Sequence, residues 1–294
     1  MSNHRIGVVG IPGKWSTEAM ADALEARTGF RHVIDMGQVD CDLATGRLIH
    51  DGLDLSTLDG LVVKKISETY SPHALDRLEL LRVAEAKGVR IFSRPESILR
   101  LIDRLACTVS LANAGVPMPA TRVTEDLTAA RAAIDAFGGA VLKPLYSTKA
   151  RGMALVSAED PDLDRVLADF GVANPVMYIQ QKLDLSGQDL GMVFLGGKYL
   201  CTYARVSQSD AWNTTIHSGG KYAAFDPDAD LIALAEKAQA PFGLSFTTVD
   251  VALTASGPVV FEVSAFGGFR GVNEGCGLDA AALLADHVLE QVTA

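Results

Sequence analysis

The stretch Thr248-Val-Asp250-Val-Ala-Leu253, followed after a Ser256-Gly257 turn by Val259-Val-Phe-Glu262-Val-Ser264, decides the fold of this chain. Its β-branched and aromatic residues predict two antiparallel strands. With this turn, Asp250 and Glu262 lie opposite or nearly opposite each other on one face. Carboxylates among apolar residues are costly to bury unless they are paired or bind a metal. The pair therefore predicts a Mg²⁺ site, and solvated acids on an edge strand are the alternative.

The composition of the whole chain narrows the class of partner. The chain has 294 residues, 48% of them hydrophobic, which predicts two or three compact units with a buried core. Its 26 Lys and Arg residues against 36 Asp and Glu residues give a formal net charge of −10, so nucleic acid is not an expected partner. A triphosphate remains compatible, because local cations, backbone N–H groups and a metal decide that contact.

Cysteine spacing and the N-terminal sequence indicate the compartment. Cys41, Cys107, Cys201 and Cys276 lie far apart, a spacing that indicates neither a zinc site nor a dense disulfide framework. The first apolar run is too short for a signal-peptide core or a membrane span. We therefore expect a cytoplasmic protein without membrane association.

The order of helix and strand signals predicts three structural units. Residues 1–95 alternate strand and helix signals, which is typical of an α/β unit with a mostly parallel sheet. Residues 96–184 begin with one helix that is expected to run to residue 114 and continue as an α+β lobe. Residues 185–294 form a second α+β lobe, with a polar loop expected at 207–221 and a glycine-rich loop at 266–277.

A lysine ends a second apolar strand, Val141-Leu-Lys143-Pro, and a polar loop follows it. A lysine so placed can bind a phosphate as a point charge, and the loop offers hydroxyls, N–H groups and further cations. The candidate phosphate ligands of this segment are Lys143, Ser147, Lys149, Arg151 and Gly152. The alternative is a lysine that extends to solvent beside an ordinary hairpin loop.

The strand Tyr178-Ile-Gln-Gln-Lys182-Leu183 ends in polar residues before a connector with Ser186-Gly187. Such a hinge can offer backbone N–H and C=O groups to the edge of an adenine while aliphatic residues sandwich the ring. The candidates here are Gln180, Gln181, Lys182 and Leu183. An amphipathic strand that only joins two lobes is equally compatible with these residues.

Two other segments are weaker candidates. Gly7-Val-Val-Gly-Ile-Pro-Gly13-Lys14 resembles a phosphate loop, but Val8 and Trp15 stand where a Walker loop needs Gly and Ser or Thr, so a tight turn is favoured. The polar segment Thr214-Thr-Ile-His217-Ser-Gly-Gly220-Lys221 makes a substrate-facing His217 one hypothesis. A surface histidine without a role is the alternative.

The order of these parts resembles the ATP-grasp superfamily, and its RimK-like branch in particular. The shared parts are a lysine-ended strand, an adenine hinge, an Asp and a Glu on consecutive strands, and then a glycine-rich loop and a helix. The resemblance covers nearly the whole chain and includes Asp103-Arg104 at the position of the family's Asp-Lys pair, Asp189 and Asn213. Within that branch, the chain looks most like the ATP-grasp member of peptide-associated GAK gene systems.

This resemblance implies a Rossmann-like pre-ATP-grasp domain at residues 1–95, followed by the two α+β lobes of an ATP-grasp fold. It implies that ATP binds with Mg²⁺, with Mn²⁺ as an alternative metal. By the resemblance, Asp250, Glu262 and Ser264 hold the metal. The implied nucleotide-binding residues are Arg104, Lys143, Ser147, Lys149, Arg151, Gly152, Gln180, Gln181, Lys182, Leu183 and Asp189.

The chain departs from the family pattern at several positions. Ser264 replaces the usual Asn two residues after the metal-binding Glu, and the phosphate-covering loop keeps only Gly152 of its glycines. Gly191 and Asn213 stand where the family has arginines that steady the acyl phosphate. Arg205 or Arg270 is expected to take over that role, with Asn213 and His217 as further catalytic candidates.

The implied activity is ATP-dependent joining of a carboxylate to an amine on a peptide or amino-acid substrate. ATP phosphorylates the carboxylate and leaves as ADP, and the amine then displaces inorganic phosphate from the acyl phosphate. The first domain is expected to help hold the acceptor, and a homo-oligomer is expected. Two alternatives remain: a nucleotide-binding regulator with a degenerate site, and a kinase that stops at phosphoryl transfer.

Overall fold

The computed structural model describes residues 3–148, 150–185, 187–207 and 220–293. Its first part alternates strands and helices as the sequence predicts: β1 (Ile6–Val9), α1 (Trp15–Thr28), β2 (Val33–Ile34), β3 (Asp40–Asp42), β4 (Arg47–His50), β5 (Leu53–Asp54), β6 (Gly60–Val63), α2 (Pro72–Ala86) and β7 (Arg90–Phe92). Four of these strands form a parallel sheet in the order β2-β1-β6-β7, and β3-β4-β5 form a small antiparallel sheet. Strands β1 and β6 are buried along their whole length, which is typical of parallel strands covered on both faces.

The middle of the chain forms two helices and then an antiparallel sheet with two further helices. Its elements are α3 (Pro95–Ile102), α4 (Arg104–Asn113), β8 (Thr121–Thr124), α5 (Leu127–Phe137), β9 (Gly139–Lys143), β10 (Ala154–Ser157), α6 (Leu163–Ala173) and β11 (Met177–Gln181). The strand order is β10-β9-β11-β8. Asp126 starts α5 by accepting hydrogen bonds from the N–H groups of Thr128 and Ala129, and Gly138 ends it in the left-handed conformation.

The last part of the chain forms a five-stranded antiparallel sheet in the order β14-β13-β12-β15-β16. Its elements are β12 (Gln188–Leu195), β13 (Lys198–Val206), β14 (Lys221–Ala224), α7 (Ala229–Gln239), β15 (Phe246–Thr254), β16 (Gly257–Val263), α8 (Phe269–Cys276) and α9 (Ala280–Thr293). The sequence did not predict β14, because this short and largely exposed edge strand has no apolar alternation.

The buried apolar residues form three clusters that hold the sheets together. One runs from the first sheet through α2, α3 and α4 to β12, β15, β16 and α7. A second joins the other face of the first sheet and α1 to β13, α8 and α9. The third lies entirely within residues 130–179, between the middle sheet and its helices α5 and α6. The first and third sheets therefore share their apolar interior, whereas the middle sheet encloses its own.

The single helix expected up to residue 114 is two helices. Asp103 leaves the helical conformation with φ −82° and ψ 111°, and its carboxylate accepts a hydrogen bond from the N–H of Leu105. Asp is a strong helix-starting residue, and this local bond competes with continuation of α3. Arg104 is therefore the first residue of α4 and not the middle of a longer helix.

The glycine-rich segment at 266–277 contains α8, a helix that the sequence did not predict. Tyr203 of β13 packs against it, since a Cβ on Gly271 would lie 2.3 Å from the Tyr203 ring and one on Gly275 would lie 2.6 Å from the Tyr203 Cβ. Phe269 is buried at the start of the same helix. These glycines therefore permit a helix to pack closely on a strand, and they do not mark a flexible loop.

A buried lysine follows β6 and connects the first sheet to the segment after β16. The Lys64 ammonium donates to the carbonyl of Gly267 at 2.9 Å and lies 3.5 Å from the centre of the Phe269 ring. Burial, with a smaller contribution from the neighbouring Lys65 charge, lowers the pKa of Lys64 to about 7. The charged form of this lysine thus costs stability in the folded protein.

The substitution Lys64→Met is expected to change how stability depends on pH. The pKa of Lys64 is about 7 in the folded protein and 10.5 ordinarily, so between these values the unfolded chain binds the additional proton. Across this window, wild-type stability is expected to rise relative to that of Lys64→Met by up to about 1.4 kcal/mol per pH unit. The free energy of unfolding in urea, measured for both proteins at about pH 7 and about pH 9, checks this.

Lys198→Met, which removes an exposed lysine of β13, is the matched control and is expected to track the wild type at both pH values. A difference between wild type and Lys64→Met that stays constant from neutral to alkaline pH would contradict the assignment.

Candidate active site

A cavity of about 490 Å³ lies between the middle and third sheets, and the segment after β6 forms part of its wall. We call it the central cavity. Among the described residues, its charged lining consists of the cations Lys65, Arg104, Lys143, Lys182 and Arg205 and the carboxylates Asp189, Asp250 and Glu262. Five cations against three carboxylates make the cavity locally positive in a chain whose net charge is −10. Such a local surplus favours an anionic ligand.

The two acids of the predicted hairpin lie directly opposite each other, as expected. Asp250 on β15 is the register partner of Glu262 on β16, and both line the central cavity. The side chain of Asp250 is 16% exposed and that of Glu262 is 43% exposed. Asp250 is therefore not a solvated acid, whereas Glu262, on the edge strand β16, remains accessible from the cavity.

Each of these acids is paired with one arginine, which is one of the two arrangements that lower the cost of burying a carboxylate. Arg104 Nη1 lies 3.0 Å from Glu262 Oε2, and Arg205 Nη2 lies 3.0 Å from Asp250 Oδ1. The Arg205 Nε also donates to Asp189 at 2.9 Å. Arg205 on β13 is the register partner of Asp189 on β12, and Asp250 lies on β15, the next strand. The guanidinium therefore reaches Asp250 across β12.

Burial sets the electrostatics of this cluster. It raises the pKa of the Asp250 carboxyl, with the charges of Glu262 and Asp189 adding to the effect and Arg205 opposing it. Burial works against the charged form of Arg205, but the carboxylates of Asp250 and Asp189 outweigh it and raise the pKa of Arg205. Arg205 is thus the cation that opposes protonation of Asp250.

The structure explains why no arginine stands at position 191. Gly191 of β12 is the register partner of Tyr203, and a Cβ on Gly191 would lie 2.3 Å from the Tyr203 ring. The buried Tyr203 thus fills the space that a side chain at 191 would need. Of the two proposed replacements, only Arg205 lines the central cavity. Arg270 is 57% exposed and lies beside Glu274 and the Trp15 ring, outside the described lining.

The lysine-ended strand delivers its predicted cation to the central cavity. Lys143 Nζ donates to Gln180 Oε1 at 2.5 Å and lies 5.2 Å from the centre of the Phe261 ring. Burial, with a contribution from Arg104, lowers the pKa of Lys143 to about 8, and Glu262 opposes the shift. The nearby Ser147 lines the cavity with a buried Oγ that has no hydrogen-bond partner among the described residues. An incoming phosphate oxygen would satisfy that hydroxyl.

Other parts of the phosphate loop differ from expectation. Arg151 and Gly152 are exposed, and neither is among the described lining residues of the central cavity. Thr148, Ala150 and Met153 line it instead. Gly152 has φ +69°, which turns the chain away after the loop.

The adenine hinge has the expected apolar wall but different hydrogen bonding. Leu183 lines the central cavity, together with Val141, Met153 and Leu185. The N–H of Gln181 donates to Ala120 O at 2.8 Å, and the N–H of Lys182 donates to Gly139 O at 3.0 Å. These two N–H groups therefore bind within the middle sheet, and adenine binding by the other backbone groups of the hinge stays a prediction.

The donor set fits a magnesium ion. A carboxylate has about four acceptor sites, so one arginine bond each leaves Asp250 and Glu262 able to bind a hard cation. Ser264, the third predicted ligand, also lines the central cavity, and its N–H donates to Thr248 O at 2.8 Å. Among the residues that the structure describes, no group of three or more His, Cys, Asp or Glu side chains forms a metal site. Phosphate oxygens and water would complete the coordination of a metal held here.

Three predicted residues, Lys149, Asn213 and His217, lie outside the described residues. Three further residues that line the central cavity were not predicted from the sequence: Lys65, Tyr70 and Phe266. Lys65 and Tyr70 follow β6 and extend the first sheet to the cavity. Lys65 gave no motif signal. Only its place directly after a parallel strand could have pointed to it, because the carboxyl ends of parallel strands commonly border ligand sites.

Comparison with known proteins relates the chain to one family. The family model described as "RimK-like ATP-grasp domain" matches residues 102–288. The chain is 25% identical over 260 residues to the tetrahydromethanopterin:alpha-L-glutamate ligase of Methanosarcina acetivorans. This match covers 82% of this chain and 79% of that protein. It is 23% identical over 295 residues to the probable alpha-L-glutamate ligase 2 of Hahella chejuensis, and this match covers 98% of this chain and 96% of that protein.

A solved structure shows the same mixed α/β fold. The ATP-grasp ligase PsnB, complexed with a phosphomimetic variant of its minimal precursor, Mg and ADP, superposes with a TM-score of 0.78 and 18% identity. The match covers 99% of this chain and 100% of that one. Among the described helices, none has the length and apolar character that a membrane span requires.

The substitutions Lys143→Ala and Glu262→Gln are each expected to weaken Mg-ATP binding. Each removes a charged partner of the phosphates or of the metal, and such charge-assisted bonds contribute about 1.5–3 kcal/mol, or roughly 10- to 100-fold in affinity. Titration calorimetry with a non-hydrolysable ATP analogue and Mg²⁺ measures this. Lys198→Met, outside the central cavity, is the control for loss of a lysine. Unchanged affinity in a folded Lys143→Ala or Glu262→Gln protein would rule out this site assignment.

Proposed function

The chain belongs to the RimK-like ATP-grasp family of ATP-dependent, ADP-forming carboxylate–amine ligases, and we propose that L-glutamate is the amine that it ligates. The names of its relatives support this substrate, since both proteins compared above are alpha-L-glutamate ligases by name. The observation that carries the proposal is the central cavity, where phosphate-binding cations and a carboxylate pair for the metal meet beside a wall from the first sheet.

We assign the nucleotide to the part of the central cavity between β9, β11 and the acidic hairpin. Lys143, Arg104 and Ser147 are placed to contact phosphates, and Leu183 lies where it can cover the adenine. Asp250, Glu262 and Ser264 would hold magnesium, which when bound neutralises phosphate charge. In-line transfer to the substrate carboxylate then depends mainly on positioning and on charge stabilisation by these residues.

Arg205 is the residue that we propose to stabilise the acyl phosphate. Its side chain is only 19% exposed, lines the central cavity and is held by Asp189 and Asp250, so its guanidinium needs little reorganisation when charge develops beside the acidic hairpin. The exposed Arg270 has no comparable support. These contacts support Arg205 rather than Arg270 in the proposal.

The proposal includes the domain organisation, the oligomeric state and the partners of the chain. We propose that the parallel sheet and its helices form a Rossmann-like pre-ATP-grasp domain over residues 1–95, followed by lobes at 96–184 and 185–294. We also propose a cytoplasmic homo-oligomer whose partners are carboxylate and amine substrates rather than nucleic acid or membranes. Membership of the GAK peptide systems stays a prediction from the sequence resemblance.

ADP release is expected to require both a carboxylate acceptor and L-glutamate. Purified protein with Mg-ATP, L-glutamate and a set of short peptides with free carboxylates is assayed for ADP and, by mass spectrometry, for a peptide that has gained one glutamate. The two products are expected in equal amounts. ADP formed without any amine would instead indicate a phosphoryl transferase. A melting temperature raised by Mg-ATP, with no ADP from any mixture, would indicate a nucleotide-binding regulator.

Arg205→Met is expected to lower kcat for ADP formation about 100-fold or more, as loss of one charge-stabilising donor does in other enzymes. Because this substitution leaves Asp189 and Asp250 without their arginine, Arg205→Lys is measured beside it, keeping the charge but not the planar fork. Arg270→Met is the matched control and is expected to keep the wild-type rate. Full activity in Arg205→Lys together with inactivity in Arg270→Met would reverse the assignment.

A further inference from the structure

One wall of the central cavity comes from the first sheet, and the nucleotide assignment leaves it unused. Lys65 follows β6, and its Nζ lies 3.3 Å from the hydroxyl of Tyr70 and 4.6 Å from the centre of the Tyr70 ring. The Phe266 ring, after β16, lies 5.2 Å from the same nitrogen. We call Lys65, Tyr70 and Phe266 the lysine wall. It combines a cation, a phenol hydroxyl and two aromatic faces.

The backbone fixes the direction of this lysine. The N–H groups of Lys64 and Lys65 both donate to Val9 O, at 2.8 and 3.3 Å, which anchors the segment after β6 to β1. The Lys64 side chain is turned into the interior to Gly267 O, while the next side chain, Lys65, reaches the central cavity. The lysine wall is therefore tied to the segment that follows Glu262, and not to a loose surface loop.

The electrostatics of the lysine wall suit an anion beside the reaction centre. Burial raises the pKa of Tyr70, with the Glu262 charge adding to the effect, so the hydroxyl stays protonated and can donate a hydrogen bond. The other cavity cations have roles in the proposed reaction: Arg104 and Arg205 pair with the carboxylates Glu262 and Asp250, and Lys143 and Lys182 lie on the proposed nucleotide side. Among the described lining residues, Lys65 is the cation that the first sheet contributes.

Resting on the proposed function, we propose that the lysine wall binds a carboxylate of the incoming amino-acid substrate. The carboxylate that is phosphorylated must lie at the acidic hairpin, where the phosphate arrives. A spectator carboxylate keeps its charge throughout the reaction, and a lysine recognises it as a point charge while Tyr70 adds a second donor. The rings of Tyr70 and Phe266 supply an apolar surface for the carbon chain between the two ends of the amino acid.

Steady-state kinetics of Lys65→Met tests the proposal. The variant is expected to raise KM for L-glutamate about 10- to 100-fold, which corresponds to the loss of one charge-assisted hydrogen bond. KM for ATP is expected to stay unchanged, and kcat at saturating L-glutamate is expected to be largely retained. Lys65→Arg, which keeps the charge, is expected to recover most of the affinity. Tyr70→Phe, which removes only the hydroxyl, is expected to show a smaller rise, and Lys198→Met no rise.

Substrate analogues make the test specific to a carboxylate. L-Glutamine and the α-amide of L-glutamate each lack one carboxylate, and the analogue without the recognised group is expected to be a poor substrate of the wild type. Activity with that analogue should be the same in Lys65→Met as in the wild type. The analogue already lacks the carboxylate that Lys65 would bind, so removing Lys65 breaks no further contact. Equal additional losses for both analogues would overturn the proposal.

The remaining outcomes distinguish failure of the proposed amino-acid site from failure of the proposed L-glutamate ligation. If the wild type ligates L-glutamate and Lys65→Met leaves its KM unchanged, the lysine wall is not the amino-acid site and the proposed function stands. If the rise in KM falls on the peptide alone, the wall belongs to the other substrate and the proposal is wrong. If the wild type ligates no acidic amino acid, the proposed substrate is wrong, and the inference about the lysine wall falls with it.

Discussion

Pairing of each strand carboxylate with one arginine is the constraint on which the central cavity depends. Asp250 and Glu262 sit side by side on neighbouring strands, and like charges so placed in a partly buried cavity repel each other. Arg205 and Arg104 approach them from different directions, one from β13 within the same sheet and the other from the start of α4. The two arginines thus stabilise the acidic pair within the protein itself, and the proposed nucleotide and metal would meet an electrostatic arrangement that already exists.

Tyr203 shows how one bulky side chain can redirect a catalytic site. Its ring lies against three backbone positions that have no side chain: Gly191 on β12, and Gly271 and Gly275 on α8. Glycine at each of these positions is a packing requirement, because a side chain there would meet Tyr203. Arg205, the cation that we propose for charge stabilisation, lies two residues further along the strand that carries Tyr203.

The sequence predicted those parts of the site that depend on strand periodicity. The opposition of Asp250 and Glu262 and the arrival of Lys143 at the cavity follow from a period of two and from where a strand ends. Features decided by long-range packing were not accessible: glycines that admit Tyr203 look like loop glycines, and the break at Asp103 looks like continuous helix. Lys65 gave no local signal, because only the tertiary fold brings the first sheet to the central cavity.

The separate apolar cluster of the middle sheet has a consequence for access to the central cavity. The first and third sheets share two clusters, whereas the third cluster lies entirely within residues 130–179. Displacement of the middle sheet together with α5 and α6 would therefore leave the buried members of each cluster packed together. Such opening would break the hydrogen bonds that Arg104 donates to the carbonyls of Pro144 and Leu145 and the bond between the hydroxyls of Thr108 and Tyr178.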